Sequence, residues 1–119
     1  MQIIDKQQND IKITLIAVKL GNDFNISIFG GNKPHIGAAA LAVPRRSLAE
    51  PEKISASVSN ITVTGHKEDE LARRAAAMLA ARFNCVVCVA CGIHIDAAEK
   101  AQISLIEQLT LEAINEVEK

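Results

Sequence analysis

The sequence predicts an α+β domain: a mainly antiparallel sheet of about five strands, in the order ββββαβα, with two helices packed on one face. Three observations carry that prediction. The first half alternates apolar and polar residues with a period of two, broken by Gly, Pro, Asn and Asp. Two later segments, about 66–83 and 98–118, repeat apolar residues every three to four positions. Between them lies a short run that is apolar on both faces, as a central strand is. The 119 residues suit a single domain, 1–119, and their 49% hydrophobic content is enough to pack one core.

Residues 11–20 open with Ile/Lys and Ile/Thr alternation and read as the first strand. Gly21-Asn22-Asp23 supplies a turn, and Phe24, Ile26 and Ile28 alternate with Asn25 and Ser27 in a hairpinned second strand. Gly30-Gly31-Asn32-Lys33-Pro34 reads as a break. Residues 36–43 form a third strand of small side chains, residues 44–51 a loop, and residues 54–64 a fourth strand rich in Ser, Thr, Val and Ile. The first helix carries Leu71, Ala75, Leu79 and Phe83, with Ala72, Ala76 and Ala80 beside them. These alanines let it lie close to a sheet. Residues 85–91 form the fifth strand. The last helix shows a stripe of Ile103, Ile106, Thr110, Ala113, Ile114 and Val117, widened by Leu105 and Leu109. That arc exceeds the ~100° one core face needs, which predicts either a second partner surface or a deeply buried helix.

Composition excludes several functions. The net charge of −1 gives no basic field for nucleic acid or an anionic membrane. No apolar run approaches the ~20 residues that span a bilayer. The start lacks the charge and apolar pattern of an export signal. With three cysteines, an odd number, this points to a reducing cytoplasm. Trp and Tyr are absent and Phe occurs three times, so a flat ligand must rest on aliphatic side chains, backbone or an Arg plane.

Cys85-x-x-Cys88-x-x-Cys91 has the spacing of a cluster-binding run but not its geometry. In a strand, Cys85 and Cys91 share a face ~20 Å apart while Cys88 points away. The bland alternative, small apolar core residues, fits better. All three histidines fall at element boundaries. Gly30-Gly31-Asn32-Lys33-Pro34-His35-Ile36-Gly37 is either a glycine-rich crossing or a ligand loop aiming His35 at a pocket; it lacks the ending of a phosphate-binding P-loop. In Gly65-His66-Lys67-Glu68-Asp69-Glu70, the carboxylates are accounted for by a helix start, whereas His66 is not. In His94-Ile95-Asp96, Asp96 either orients His94 or caps the final helix, with Glu99 at capping-box spacing.

Taken together, the Gly30–Ala38, Gly65–Asp69 and Gly92–Asp96 motifs resemble the prenylated flavin chaperone LpdD-like family, over about residues 10–107. Its members are the small D components of bacterial non-oxidative hydroxyarylic acid decarboxylases of the gallate, vanillate and 4-hydroxybenzoate type. The resemblance implies a non-catalytic accessory role. The large catalytic decarboxylase component carries prenylated FMN and does the chemistry; the small protein delivers the cofactor or assists maturation. It implies one transient cofactor- or partner-facing site made of Gly30, Gly31, Pro34, His35, Gly37, Gly65, His66, Lys67, Glu68, His94 and Asp96. Arg45, Arg46 or Lys33 would supply local positive charge there. It also implies a fold similar to small proteasome-assembly-chaperone-type domains, which pair through their sheets or helices, and hence a homo-oligomer. Two further readings stand beside it. One is a small metal-dependent enzyme with His35, His66, His94 and Asp96 as ligands for zinc or iron. The other is a non-catalytic assembly scaffold.

Overall fold

The computed structural model describes residues 1–63 and 69–119. Among the described residues the order is β1 (Gln2–Gln8), β2 (Ile11–Leu20), β3 (Asp23–Gly31), β4 (Ala38–Arg46), β5 (Ile54–Thr62), α1 (Asp69–Phe83), β6 (Val87–His94) and α2 (Lys100–Asn115). The strands form one sheet in the spatial order β1-β2-β3-β6-β4-β5.

This sheet departs from the expected antiparallel arrangement of about five strands. It has six strands and is mixed, because β6 pairs parallel with β3 and antiparallel with β4. The additional strand is β1. Its sequence, QIIDKQQ, is too polar to alternate clearly, so periodicity does not reveal it. Its fold comes from the turn: Asn9 and Asp10 both take positive φ, 51° and 65°, as a two-residue type I′ hairpin requires. β1 then pairs in register along β2 from Gln2↔Ala17 to Gln8↔Ile11.

The residues 44–51 expected as a loop begin as strand, since β4 continues through Pro44, Arg45 and Arg46. Pro44 is tolerated because the β4–β6 ladder ends at Ala42, which leaves that side of β4 an open edge needing no N–H donor. Likewise Gly30 and Gly31 do not break β3 but complete it, opposite Ile93 and His94 of β6.

The registers put the buried side chains on one face. Leu15, Ile28 and Cys91 share a row, and so do Ala17, Ile26, Val89 and Ala40. Each fully buried Leu, Ile or Val contributes ~1.5–3 kcal/mol. Both helices cover this face: α1 packs on β4, β5 and β6, and α2 on β1 and β2. Small side chains on both sides allow the close approach of α1, with Ala72, Ala75, Ala76 and Ala80 meeting a β4 whose inward residues are Ala38, Ala40 and Ala42. Arg82 joins the two helices, donating from Nη2 to the Ile114 carbonyl at 2.6 Å.

The final helix starts later than expected and is capped differently. Glu99, not Asp96, is its N-cap, and the Glu99 N–H donates to Gln102 Oε1 at 2.8 Å. Leu109, Thr110, Ala113 and Ile114 are buried, whereas Ile103 is exposed. Deep burial therefore holds only for the second half of α2.

Candidate functional site

The order of the strands creates the site. Because β6 lies between β3 and β4, the connection from Gly31 to Ala38 must cross the end of β6. Residues 32–37 make that crossing as an arch over the face that the helices leave bare. The Asn32 N–H donates to the His94 carbonyl at 2.7 Å. At the other foot, the Gly37 N–H donates to the Cys91 carbonyl at 2.9 Å, and the Gly37 carbonyl accepts from the Val63 N–H at 2.8 Å. The Asp96 N–H donates to Asn32 Oδ1 at 3.0 Å, fastening the arch to the chain beyond β6.

Two glycines make the close crossing feasible. Gly31 has φ +76°, and a Cβ there would run into the His94 carbonyl. At Gly92 a Cβ would collide with the carbonyl of His35, the crown of the arch. Gly92 sits in the sequence motif but was not singled out as a site residue. A lone glycine inside an otherwise apolar strand is the signal of a close backbone approach.

Beneath the arch is a cavity of about 220 Å³ lined by Ile16, Ser27, Ile28, Phe29, Pro34, His35, Ile36 and Ala90. Its floor is a row across the bare face, in which Ile16 pairs with Ser27 and Ser27 with Ala90. Small Ser27 and Ala90 leave the depression; Ile16, Phe29 and Ile36 wall it. Pro34 and His35 among the sequence candidates line this cavity. Ile16, Ser27, Phe29 and Ala90 were not anticipated: Ser27 reads as ordinary outward surface of its strand, and Ile16, Phe29 and Ala90 as members of apolar runs.

At one foot of the arch, His94 Nε2 lies 3.0 Å from Asp96 Oδ1, so the carboxylate accepts and Nε2 carries the proton. Lys33 Nζ lies 3.5 Å from the same oxygen. The His94 hydrogen bond, followed by the Lys33 charge, holds the Asp96 carboxyl below its ordinary value. Asp96 therefore orients His94 and does not cap α2. His35 Nδ1 is 2.9 Å from the Lys33 carbonyl, which fixes Nδ1 as the protonated nitrogen. The His35 and His94 rings meet edge-on, with centroids 6.4 Å apart.

The structure thus gathers Gly31, Pro34, His35, Gly37, His94 and Asp96 around one arch, with Gly30 at its approach. Gly65, His66, Lys67 and Glu68 lie outside the described residues. Of the cations considered for the site, Lys33 is at the arch but already paired with Asp96. Arg45 and Arg46 are not near it: they lie seven and eight positions along extended β4 from Ala38, roughly 23 Å or more at strand rise. Arg45 instead donates to Ser57 Oγ at 2.9 Å.

Among the described residues, no three His, Cys, Asp or Glu side chains gather to hold a metal ion. Cys88 and Cys91 lie on opposite faces of β6, Cys85 precedes the strand, and none is in a disulfide. Burial pushes the Cys85 thiol up, away from the reactive thiolate. No described helix is long and apolar enough to cross a membrane. The cavity suits an apolar, flat group: its walls are aliphatic and phenyl, and its polar side chains are one hydroxyl and one imidazole.

Residues 7–119 match the family model described as the prenylated flavin chaperone LpdD-like domain. No curated protein matches the chain. Among solved structures, a chain from a chaperone complex for yeast 20S proteasome assembly is similar, with a TM-score of 0.56 and 14% identity over 93% of this chain and 89% of that one. At that identity the likeness speaks to the fold alone.

Proposed function

This chain belongs to the prenylated flavin chaperone LpdD-like family, and we propose that it is a non-catalytic accessory protein that holds prenylated FMN transiently beneath the 32–37 arch. It then passes the cofactor to the large catalytic component of a hydroxyarylic acid decarboxylase, which does the chemistry. The observation that carries this reading is the apolar cavity of about 220 Å³ on the bare sheet face. Its size suits partial, reversible seating of a cofactor. Pockets that bury most of a ligand of ordinary size run from about 300 Å³ upward. A shallower seat holds less of the cofactor and releases it more readily, as delivery requires. When bound, the flavin would supply the decarboxylation chemistry of the partner enzyme. This chain's own part is to seat the ring against Ile16, Phe29 and Ile36 and to keep water from that side.

The site residues of this reading are Gly30, Gly31, Pro34, His35, Gly37, His94 and Asp96 at the arch, together with Gly65, His66, Lys67 and Glu68. The last four belong to the reading by the family resemblance and lie outside the described residues. The reading also includes self-association. Leu41, Val43 and Ile61 on the bare face are 45%, 47% and 77% exposed, and Ile103 on α2 is 49% exposed. A second copy would remove this apolar surface from water. The three cysteines without disulfides accord with a cytoplasmic setting.

Native mass spectrometry of the protein co-expressed with a flavin prenyltransferase tests the reading. A prenylated FMN adduct, lost in His66→Ala or His35→Ala, is the expected result, on an oligomer rather than a monomer. A bare protein in a cell that makes the cofactor, together with normal cofactor loading of the decarboxylase in a strain lacking this chain, would overturn it.

A further inference from the structure

The cavity has a polarity that decides which end of a ligand it takes. No lysine or arginine is among its described lining residues, and its polar side chains are Ser27 and His35. Among the described residues, Lys33 is the cation at the arch; it is 70% exposed and shares Asp96 Oδ1 with His94. Transferring it to a ligand phosphate would leave that carboxylate with His94 alone. Neither described helix start is suited to a phosphate. α2 begins at Lys100, with the Glu99 carboxylate at its N-cap. α1 runs on the covered face, and its described first turn is already acidic with Asp69 and Glu70. By contrast, the floor of the cavity is uncharged: Ile16, Ser27 and Ala90 lie side by side across three strands, and Ile36 lines the same cavity.

From this, resting on the flavin-carrier reading, we propose that the cavity recognises the uncharged, prenyl-bearing end of the flavin and leaves the ribityl phosphate outside, in solvent. Recognition is then independent of the phosphate and dependent on the added isoprenoid carbons. The arrangement has a use in delivery. A ligand held by its apolar end presents its phosphate outward, where a receiving enzyme can capture it first. It also separates the mature cofactor from ordinary FMN, which carries the same phosphate but lacks the apolar addition.

The test is equilibrium binding, by ultrafiltration and absorbance under anaerobic conditions, with four probes: prenylated FMN, its phosphatase-treated counterpart, FMN and riboflavin. The expected result is that removing the phosphate changes Kd less than threefold, while removing the prenyl carbons weakens binding at least tenfold. Lys33→Ala should leave every Kd within about twofold. Ala90→Leu, which fills the floor, should weaken both prenylated probes tenfold or more; Ser27→Leu gives the same test at a neighbouring position should Ala90→Leu fold poorly. A loss of tenfold or more on phosphate removal, or a comparable loss in Lys33→Ala, overturns the proposal while leaving the carrier reading intact. Failure of all four probes to bind overturns the carrier reading itself.

Discussion

The two faces of this sheet are built from the same strands, yet they serve different ends. On the covered face, alternate residues are Ile, Leu, Val, Phe, Cys and Ala, and nearly all are buried under α1 and α2. On the bare face, the residues between them mix Ile16, Phe29 and Leu41 with Thr14, Asn25, Ser27 and Ser59. One face is optimised for burial; the other keeps apolar side chains that the fold itself does not use. Apolar surface that a monomer leaves exposed next to a shaped cavity is surface for something else. The difference teaches that, in a two-layer domain, the helix-free face is where a ligand site costs the core least.

Neighbouring residues test this division most strongly. Ile28 faces the core and Phe29 the bare side, one residue apart. Ile28→Ala should cost about 2–5 kcal/mol in urea unfolding, the usual range for an aliphatic core truncation. Phe29→Ala should cost about 1 kcal/mol while abolishing flavin binding. Equal losses of stability at the two positions would erase the distinction between the faces. Next in size is Gly92→Ala. The new methyl meets the His35 carbonyl, so the arch must lift or the strand shift, at about 1–3 kcal/mol. A crystal structure of this variant should show residues 34–36 displaced and the cavity altered, with α1 and α2 in place.

A smaller effect is expected far from the site, at Asn9→Ala. Its positive φ of 51° should make alanine cost roughly 1–2 kcal/mol by loosening the β1 hairpin. Amide exchange should quicken along β1, with ligand binding unchanged. The smallest effect concerns Asp96. Its carboxyl is held below its ordinary value in the folded protein by His94 first and Lys33 second. A group depressed in this way adds stability above its unfolded value, and the contribution is lost as pH falls through the folded one. The tie between arch and β6 should therefore persist at neutral pH and loosen only in acid. A carboxyl NMR titration should place Asp96 below a typical aspartate. His94→Ala should move it upward more than Lys33→Ala does.

How much of this was legible in the sequence follows from the same contrast. Period-two alternation located β2, β3 and β5, because a half-buried strand writes its buried face into every second residue; β4 was legible as a run of small apolar residues. The helix stripes at Ala72, Ala75, Ala76, Leu79 and Ala80 were equally readable. The apolar run 85–91 gave β6 a central place, and the strand, which begins at Val87, does lie between β3 and β4. What alternation does not encode is which strands are neighbours. Insertion of β6 between β3 and β4 is a tertiary outcome, and it turned an expected, mainly antiparallel sheet into a mixed one. β1 escaped because an edge strand with so little apolar alternation leaves its evidence in its turn, the Asn9-Asp10 pair. Of the candidate site, His35 and His94 could be found as polar groups at strand ends, and they do come together. The cavity floor was not readable, because Ser27 and Ala90 acquire meaning only once the arch is known to pass above them. For Asp96 the sequence left two roles open, because Glu99 three residues on fits a capping box; in the fold the cap is Glu99 itself and Asp96 takes the other role, against His94.

The central claim is that the flavin seat lies on the bare face beneath the arch. Amide chemical-shift mapping of the isotopically labelled protein with prenylated FMN tests it most directly. The largest shifts should fall on Ile16, Ser27, Phe29, His35, Ile36 and Ala90, with Leu79 and Ile114 on the covered side unmoved. Shifts centred on α1 and α2, with the arch silent, would contradict it.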